Sequence, residues 1–225
     1  MPGLTDKAGG DVPEVGSAAE RAHQAWQESM LRQNETLRQA ALSRAPHIVA
    51  GRYGGTFQNA HLQLSYWGKP VSLSWPDLRA QYDADGSEVS VFDTAMLLYY
   101  LVTADGAVLA ERWIGYRELP DGAFYANAFQ GYSGNRLART FGEHPQAYIS
   151  AAQALGGLAL PGLPGLAYAY LPLPRVRLAT VLYPGDEEFP ARGSVLFDAA
   201  ASHYLPTDGL ALLGSGIVSR LAKRA

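Results

Sequence analysis

Residues 61–75, "HLQLSYWGKPVSLSW", decide how the chain is read. Leu62, Leu64 and Tyr66 alternate with His61, Gln63 and Ser65, a period of two that puts one set on a buried sheet face and the other in water. Val71, Leu73 and Trp75 repeat the alternation after "WGKP", which has the composition of a turn. Two alternating runs joined so tightly predict an antiparallel hairpin. On both sides of it the period changes.

Upstream, Ala22, Trp26, Met30, Leu37, Ala40 and Ala41 recur at helical spacing. Ser17 and Glu20 form a capping box and Pro46 closes the segment, so a long amphipathic helix is expected over residues 17–46. Residues 1–16, rich in Gly, Pro and Asp, are expected to form a disordered tail. Downstream, "DADGS" breaks the chain, and Ser90 with Asp93 caps a helix running to about Thr103. That helix is apolar on nearly every face, which makes it central. "AVLAERWIGY" reads as a third strand, followed by short helices capped by Ser133 and started by Pro145. "GGLALPGLPGLAY" reads as an apolar loop, "RVRLATVLY" and "GSVLFD" as strands, and a last helix runs from Thr207 with Leu210, Leu213, Ile217 and Leu221 inward. The expected fold is α+β: a small, mostly antiparallel sheet with helices packed on one face, preceded by the long N-terminal amphipathic helix, with residues 47–225 as a single domain.

Composition restricts the function. The 225 residues are 48% hydrophobic and 17% charged, enough to bury a full core. Eighteen basic and 21 acidic residues are interspersed and leave a net charge of -3, so no basic field exists to hold a phosphate backbone and nucleic acid is not an expected partner. There is no cysteine, which removes disulfides, thiol catalysis and cysteine-held clusters from this chain. "TAMLLYYLVTA", the longest apolar run, is about half the length a bilayer needs, so no membrane association is expected. The N-terminus lacks the pattern of a signal peptide, which points to a cytoplasmic protein.

Motifs of catalysis are missing. Histidines 23, 47, 61, 144 and 203 do not pair at ligand spacing, "GYSGN" departs from a nucleophile elbow, and "GSGIVS" lacks the third glycine of a dinucleotide fingerprint. No cofactor is indicated. Two clusters remain. In "GYRELPDGAFY", residues 115–125, Tyr116, Arg117 and Glu118 stand at a strand end, where an arginine can grip a carboxylate or phosphate and a tyrosine can donate. Alternatively Arg117 and Glu118 point to opposite faces and one of them pairs elsewhere in the protein. In "YPGDEEFPARGSVLFD", residues 183–198, Pro184-Gly185 has the composition of a type II turn. Asp186 and Glu188 of its acidic bend, with Asp198 after the next strand, could offer oxygens to Mg²⁺ or Ca²⁺. The simpler reading makes the acids a solvated turn and Asp198 the N-cap of "AAASHY". The loop at 156–170 either closes over an apolar ligand or buries its leucines.

The ordered series R-E-L-P-x-G, D-E-E-F-P-A and L-F-D…Y-L-P-T-D, over roughly residues 50–222, resembles an uncharacterised bacterial and archaeal family, a domain of unknown function. Its pattern falls here on Arg117, Glu118, Gly122, Asp186, Glu187, Glu188, Phe189, Pro190 and Asp198. The resemblance implies no assigned activity. Some family members are joined to a cysteine-rich iron–sulfur-type domain like those of corrinoid one-carbon proteins, and this chain, without cysteine, carries none. Three functions follow as expectations: a small-molecule-binding or accessory module, a carboxylate- or metal-dependent enzyme acting on an anion, and a structural partner protein. The last would dock or oligomerise through residues 17–44.

Overall fold

A computed structural model of the protein describes residues 18–225, the side chains of residues 18–24, 26 and 27 excepted. The expectations placed on the tail, on Ser17 and on the Ala22, His23 and Trp26 side chains lie outside the described residues.

The fold is α+β, and its strands divide between two antiparallel sheets rather than one. The hairpin is there: β2 (His61–Tyr66) pairs with β3 (Lys69–Ser74), with Leu64 opposite Val71. Short flanking strands β1 (Thr56–Gln58) and β4 (Ala80–Tyr82) complete a four-stranded sheet. The second sheet has the order β5-β9-β8-β7-β6, from β5 (Trp113–Gly115), β6 (Leu158–Ala159), β7 (Leu166–Leu173), β8 (Val176–Tyr183) and β9 (Arg192–Asp198). Of the expected third strand only Trp113–Gly115 pair, because Ala110 and Glu111 before them are occupied in holding Asp198 and Tyr116 after them begins a 3₁₀ turn.

Helix α1 (Ala18–Leu42) lies along α3 (Val91–Thr103). Leu37 and Ala41 enter the common core, whereas Ala40 is exposed and the position facing Val91 is taken by Asn34, whose amide donates to that residue's carbonyl at 3.1 Å. Pro46 does not merely stop α1. It is the first residue of a short helix, α2 (Pro46–Tyr53), where its missing N–H costs nothing.

Helix α3 is the hub. Ser90 caps it, accepting the Asp93 amide, and Thr94 through Leu101 are buried save Tyr99. Tyr66 of the first sheet donates to Asp93 Oδ1 at 2.7 Å. Tyr100 donates to the Tyr53 carbonyl at 2.6 Å and accepts the Arg175 amide from the β7–β8 turn. Both sheets are thereby fastened to one helix.

Helices α4 (Gly122–Tyr132), α5 (Gly134–Phe141), α6 (Pro145–Ala154) and α7 (Thr207–Ala222) complete the layer against the second sheet. Leu210, Leu213, Ile217 and Leu221 of α7 are all buried, as their spacing predicts. Ser133 is not a side-chain cap: its hydroxyl, fully buried, donates back to the Phe129 carbonyl at 2.5 Å. The apolar stretch 156–170 is not a free loop either. It is an edge hairpin of the second sheet, in which Leu158 pairs with Ala169.

Candidate functional site

The six residues singled out from sequence are distributed along the second sheet. The acidic bend joins β8 to β9 beside Tyr183 and Arg192, which pair. Asp198 pairs with Trp113 at the other end of β9, six residues on and about 20 Å away at strand rise. Asp198 is 1% exposed, and its carboxylate accepts the amides of Ala110, Glu111 and Ala200, each at 2.9 Å. Both its oxygens are engaged by backbone, so it anchors the loop before β5 and the turn after β9, a capping role extended across the sheet.

The bend is fully exposed. Asp186 Oδ1 accepts the Glu188 and Phe189 amides at 2.9 and 2.7 Å, and the Asp186 amide donates to the Phe189 carbonyl. This side-chain turn replaces the expected type II geometry: Gly185 is not among the described residues with positive φ. Among the described residues no group of three His, Asp or Glu is placed to hold a metal ion.

Tyr116, Arg117 and Glu118 leave β5 in a single 3₁₀ turn. Glu118 Oε2 accepts the Gly115 amide at 2.7 Å, closing the turn on itself. Arg117 is exposed and pairs with none of the three carboxylates above. Tyr116 points inward and stacks on Phe129 at 4.2 Å between centroids. Neighbours in sequence, the three residues thus face three different surroundings.

A concavity of different composition lies where the two sheets meet. It encloses about 530 Å³ and is walled by the β2–β3 turn, Tyr82 of β4, the end of α6, β7 and the C-terminal half of α7. The sheets touch here through the Trp67 amide, which donates to the Pro172 carbonyl at 2.8 Å.

Trp67 and Gly68 form the two-residue hairpin turn, with φ of 50° and 76°. Glycine adopts that conformation freely; a tryptophan in it costs about 1–2 kcal/mol, and Asn is the residue such turns favour. What the strained position gains is a flat indole presented to the cleft. The Arg220 guanidinium lies 4.1 Å from the Trp67 ring centroid, and Lys69 Nζ lies 5.1 Å from the Tyr82 ring. Arg224, one turn after Arg220, completes three cations on one wall.

None of the three is in an ion pair among the described residues. The nearby carboxylates are committed elsewhere. Asp93 accepts from Tyr66 and from Ser90, at 2.7 and 2.9 Å, and Asp85 accepts the Ser87 hydroxyl and amide. Burial, reinforced by the Asp93 charge, pushes the Tyr66 hydroxyl well above the usual tyrosine range, and burial raises Tyr82 in the same direction. Both are neutral at physiological pH, so the cleft is neutral or cationic along its lining.

Sequence reasoning did not single out these three cations. The basic residues of "SRLAKRA", residues 219–225, have an ordinary explanation as cations complementing a helix C-terminus. The available signal was the Trp-Gly turn, where tryptophan is the wrong residue for the backbone.

These features define an α+β protein with a cationic, aromatic cleft between two antiparallel sheets. Residues 45–220 match the family described as a domain of unknown function (DUF3786), and the chain belongs to it. Helix α1 precedes the matched segment, although its second half is part of the same core. No curated protein and no solved structure matches the chain.

Proposed function

We propose that the protein is a small-molecule-binding or accessory module whose ligand is an anion with a flat, weakly polar body, held in the cleft between the two sheets. The observation that carries this reading is the set of three cations, Lys69, Arg220 and Arg224, outside any ion pair among the described residues and interleaved with Trp67 and Tyr82. An aromatic-walled concavity with a few convergent polar groups is how small ligands are commonly held, and Arg offers a planar fork to a carboxylate or phosphate. The expectation that Arg117 supplies the charge is replaced here by the α7 arginines. A carboxylate-dependent enzyme gains no support, since Asp198 is spent on backbone and the acidic bend is satisfied by its own amides.

Titration calorimetry with nucleoside monophosphates, aromatic carboxylates and inorganic phosphate tests the reading. At least one flat anion is expected to bind better than phosphate, and the Lys69→Ala/Arg220→Ala variant to bind it at least roughly tenfold more weakly, about 1.4 kcal/mol. Arg117→Ala is expected to bind normally. No binding by any probe at millimolar concentration, or a loss confined to Arg117→Ala, rejects the assignment.

A further inference from the structure

A second concavity, of opposite character, lies between α4 and the start of α7. It encloses about 430 Å³ and is lined by Tyr116, Tyr125, Tyr132, Asp121, Asp208 and Leu212, among others. Among the described residues no lysine or arginine lines it.

Tyr125 and Tyr132, two turns apart on α4, stand 6.3 Å apart between centroids with their planes at 52°. Tyr132 is in turn edge-on to Phe129, which carries Tyr116 on its face. The rings therefore form an angled enclosure rather than a flat stack. Tyr116 is 6% exposed and lines the cavity, and its hydroxyl is not among the polar atoms sealed from solvent. A tyrosine hydroxyl open to the cavity can donate to, or accept from, whatever occupies it.

The carboxylates have conventional explanations that fall short. Asp121 precedes α4 and Asp208 sits in the first turn of α7, where negative charge suits a helix dipole. Yet Asp121, held at φ 57°, makes no capping bond with its side chain. Among the described residues Asp208 accepts only the amide of its own neighbour Gly209. Neither is ion-paired among the described residues. Asp208 acts on one of the rings: after burial, its charge is the next influence raising Tyr116, whereas burial with the neighbouring tyrosines takes Tyr132 to about 12.

We propose that this concavity binds a small organic ammonium, its cationic head against the Tyr125 and Tyr132 faces, its charge balanced by Asp208 and Asp121, and any donor-accepting group beyond it meeting the Tyr116 hydroxyl. Ring faces carry negative charge and attract a cation within about 6 Å, most strongly where water is partly excluded. Quaternary ammoniums suit such a site because they bring charge without needing hydrogen-bond acceptors.

The test uses the full chain with three probes: choline, tetramethylammonium, and 3,3-dimethylbutan-1-ol, the neutral isostere of choline. Calorimetry or line broadening of the tyrosine resonances is expected to show choline and tetramethylammonium binding and the alcohol binding roughly tenfold or more weakly. Asp208→Asn and Tyr125→Leu are each expected to weaken choline by roughly five- to tenfold. Asp121→Asn, tolerated at a left-handed position, provides a second charge removal in a folded protein. Equal affinity for choline and its neutral isostere, unchanged binding in Asp208→Asn, or no binding at millimolar choline overturns the proposal. Retention of choline binding in Lys69→Ala/Arg220→Ala separates this site from the cleft between the sheets.

Discussion

Asp198 carries more of this structure than its place in an acidic-looking motif suggests. Three backbone amides, from Ala110, Glu111 and Ala200, converge on its buried carboxylate. Removing it leaves three donors without an acceptor, each costing about 1 kcal/mol or more where water cannot reach. Asp198→Ala is therefore expected to lose about 2–4 kcal/mol in urea denaturation, and the loss is expected to be the same with or without Mg²⁺. A Mg²⁺-dependent difference would return Asp198 to the list of ligands. The same scale explains why Arg117 and Glu118 were hard to read: adjacency in sequence says nothing of direction once the strand gives way to a 3₁₀ turn at Tyr116. Tyr116, not Arg117, turned out to face a cavity.

Among the elements, the contact of α5 with β9 depends on two glycines meeting back to back. A Cβ on Gly193 would stand 2.4 Å from the Gly134 carbonyl, and one on Gly134 would stand 2.3 Å from the Gly193 carbonyl. Both obstacles are backbone and cannot rotate away. Gly193→Ala is expected to cost about 2 kcal/mol or more, read as a lower midpoint in thermal unfolding. An unchanged midpoint would mean that α5 can lift from the sheet freely. Elements also account for the mixed success of the sequence reading. The hairpin at 61–75, the cap at Ser90 and the leucine spacing of α7 are local patterns, and each was legible. The edge hairpin at 158–173 was not, because its first strand has only two residues and is identified by its partner alone.

At the scale of the whole molecule, the loop after α3 is held to the end of the second sheet by Asp105 and His203, 98 residues apart, with Nδ1 2.7 Å from Oδ2. The His203 bond, and then the Ala107 amide, hold the Asp105 carboxyl below its usual value. A lowered carboxylate contributes stability that is present above its unfolded value of about 4 and is lost as pH falls through the lowered one. Asp105→Asn is thus expected to be slightly less stable at pH 7, by about 0.5 kcal/mol or less for so exposed a pair. It is expected to match the parent once the pH has passed below the lowered Asp105 value. A gap that persists or widens in acid would contradict that linkage.

The sequence by itself determined the α+β class, the antiparallel hairpin, the central apolar helix, the starts of α3, α6 and α7 and membership of the family, because all of these follow from period, caps and ordered local motifs within a few residues of one another. It also bounded the chemistry, through the missing cysteine and the mixed charge. Only the tertiary structure decided that there are two sheets, that Lys69 and Arg220 share one wall with Trp67, and that Tyr116 and Asp208 share another. These are meetings of residues about 90 to 150 positions apart, governed by how α7 packs on α4 and α6 and reaches the β2–β3 turn. Side-chain direction after an irregular turn, and the pairing of distant surfaces, depend on the global packing minimum, which no local pattern encodes.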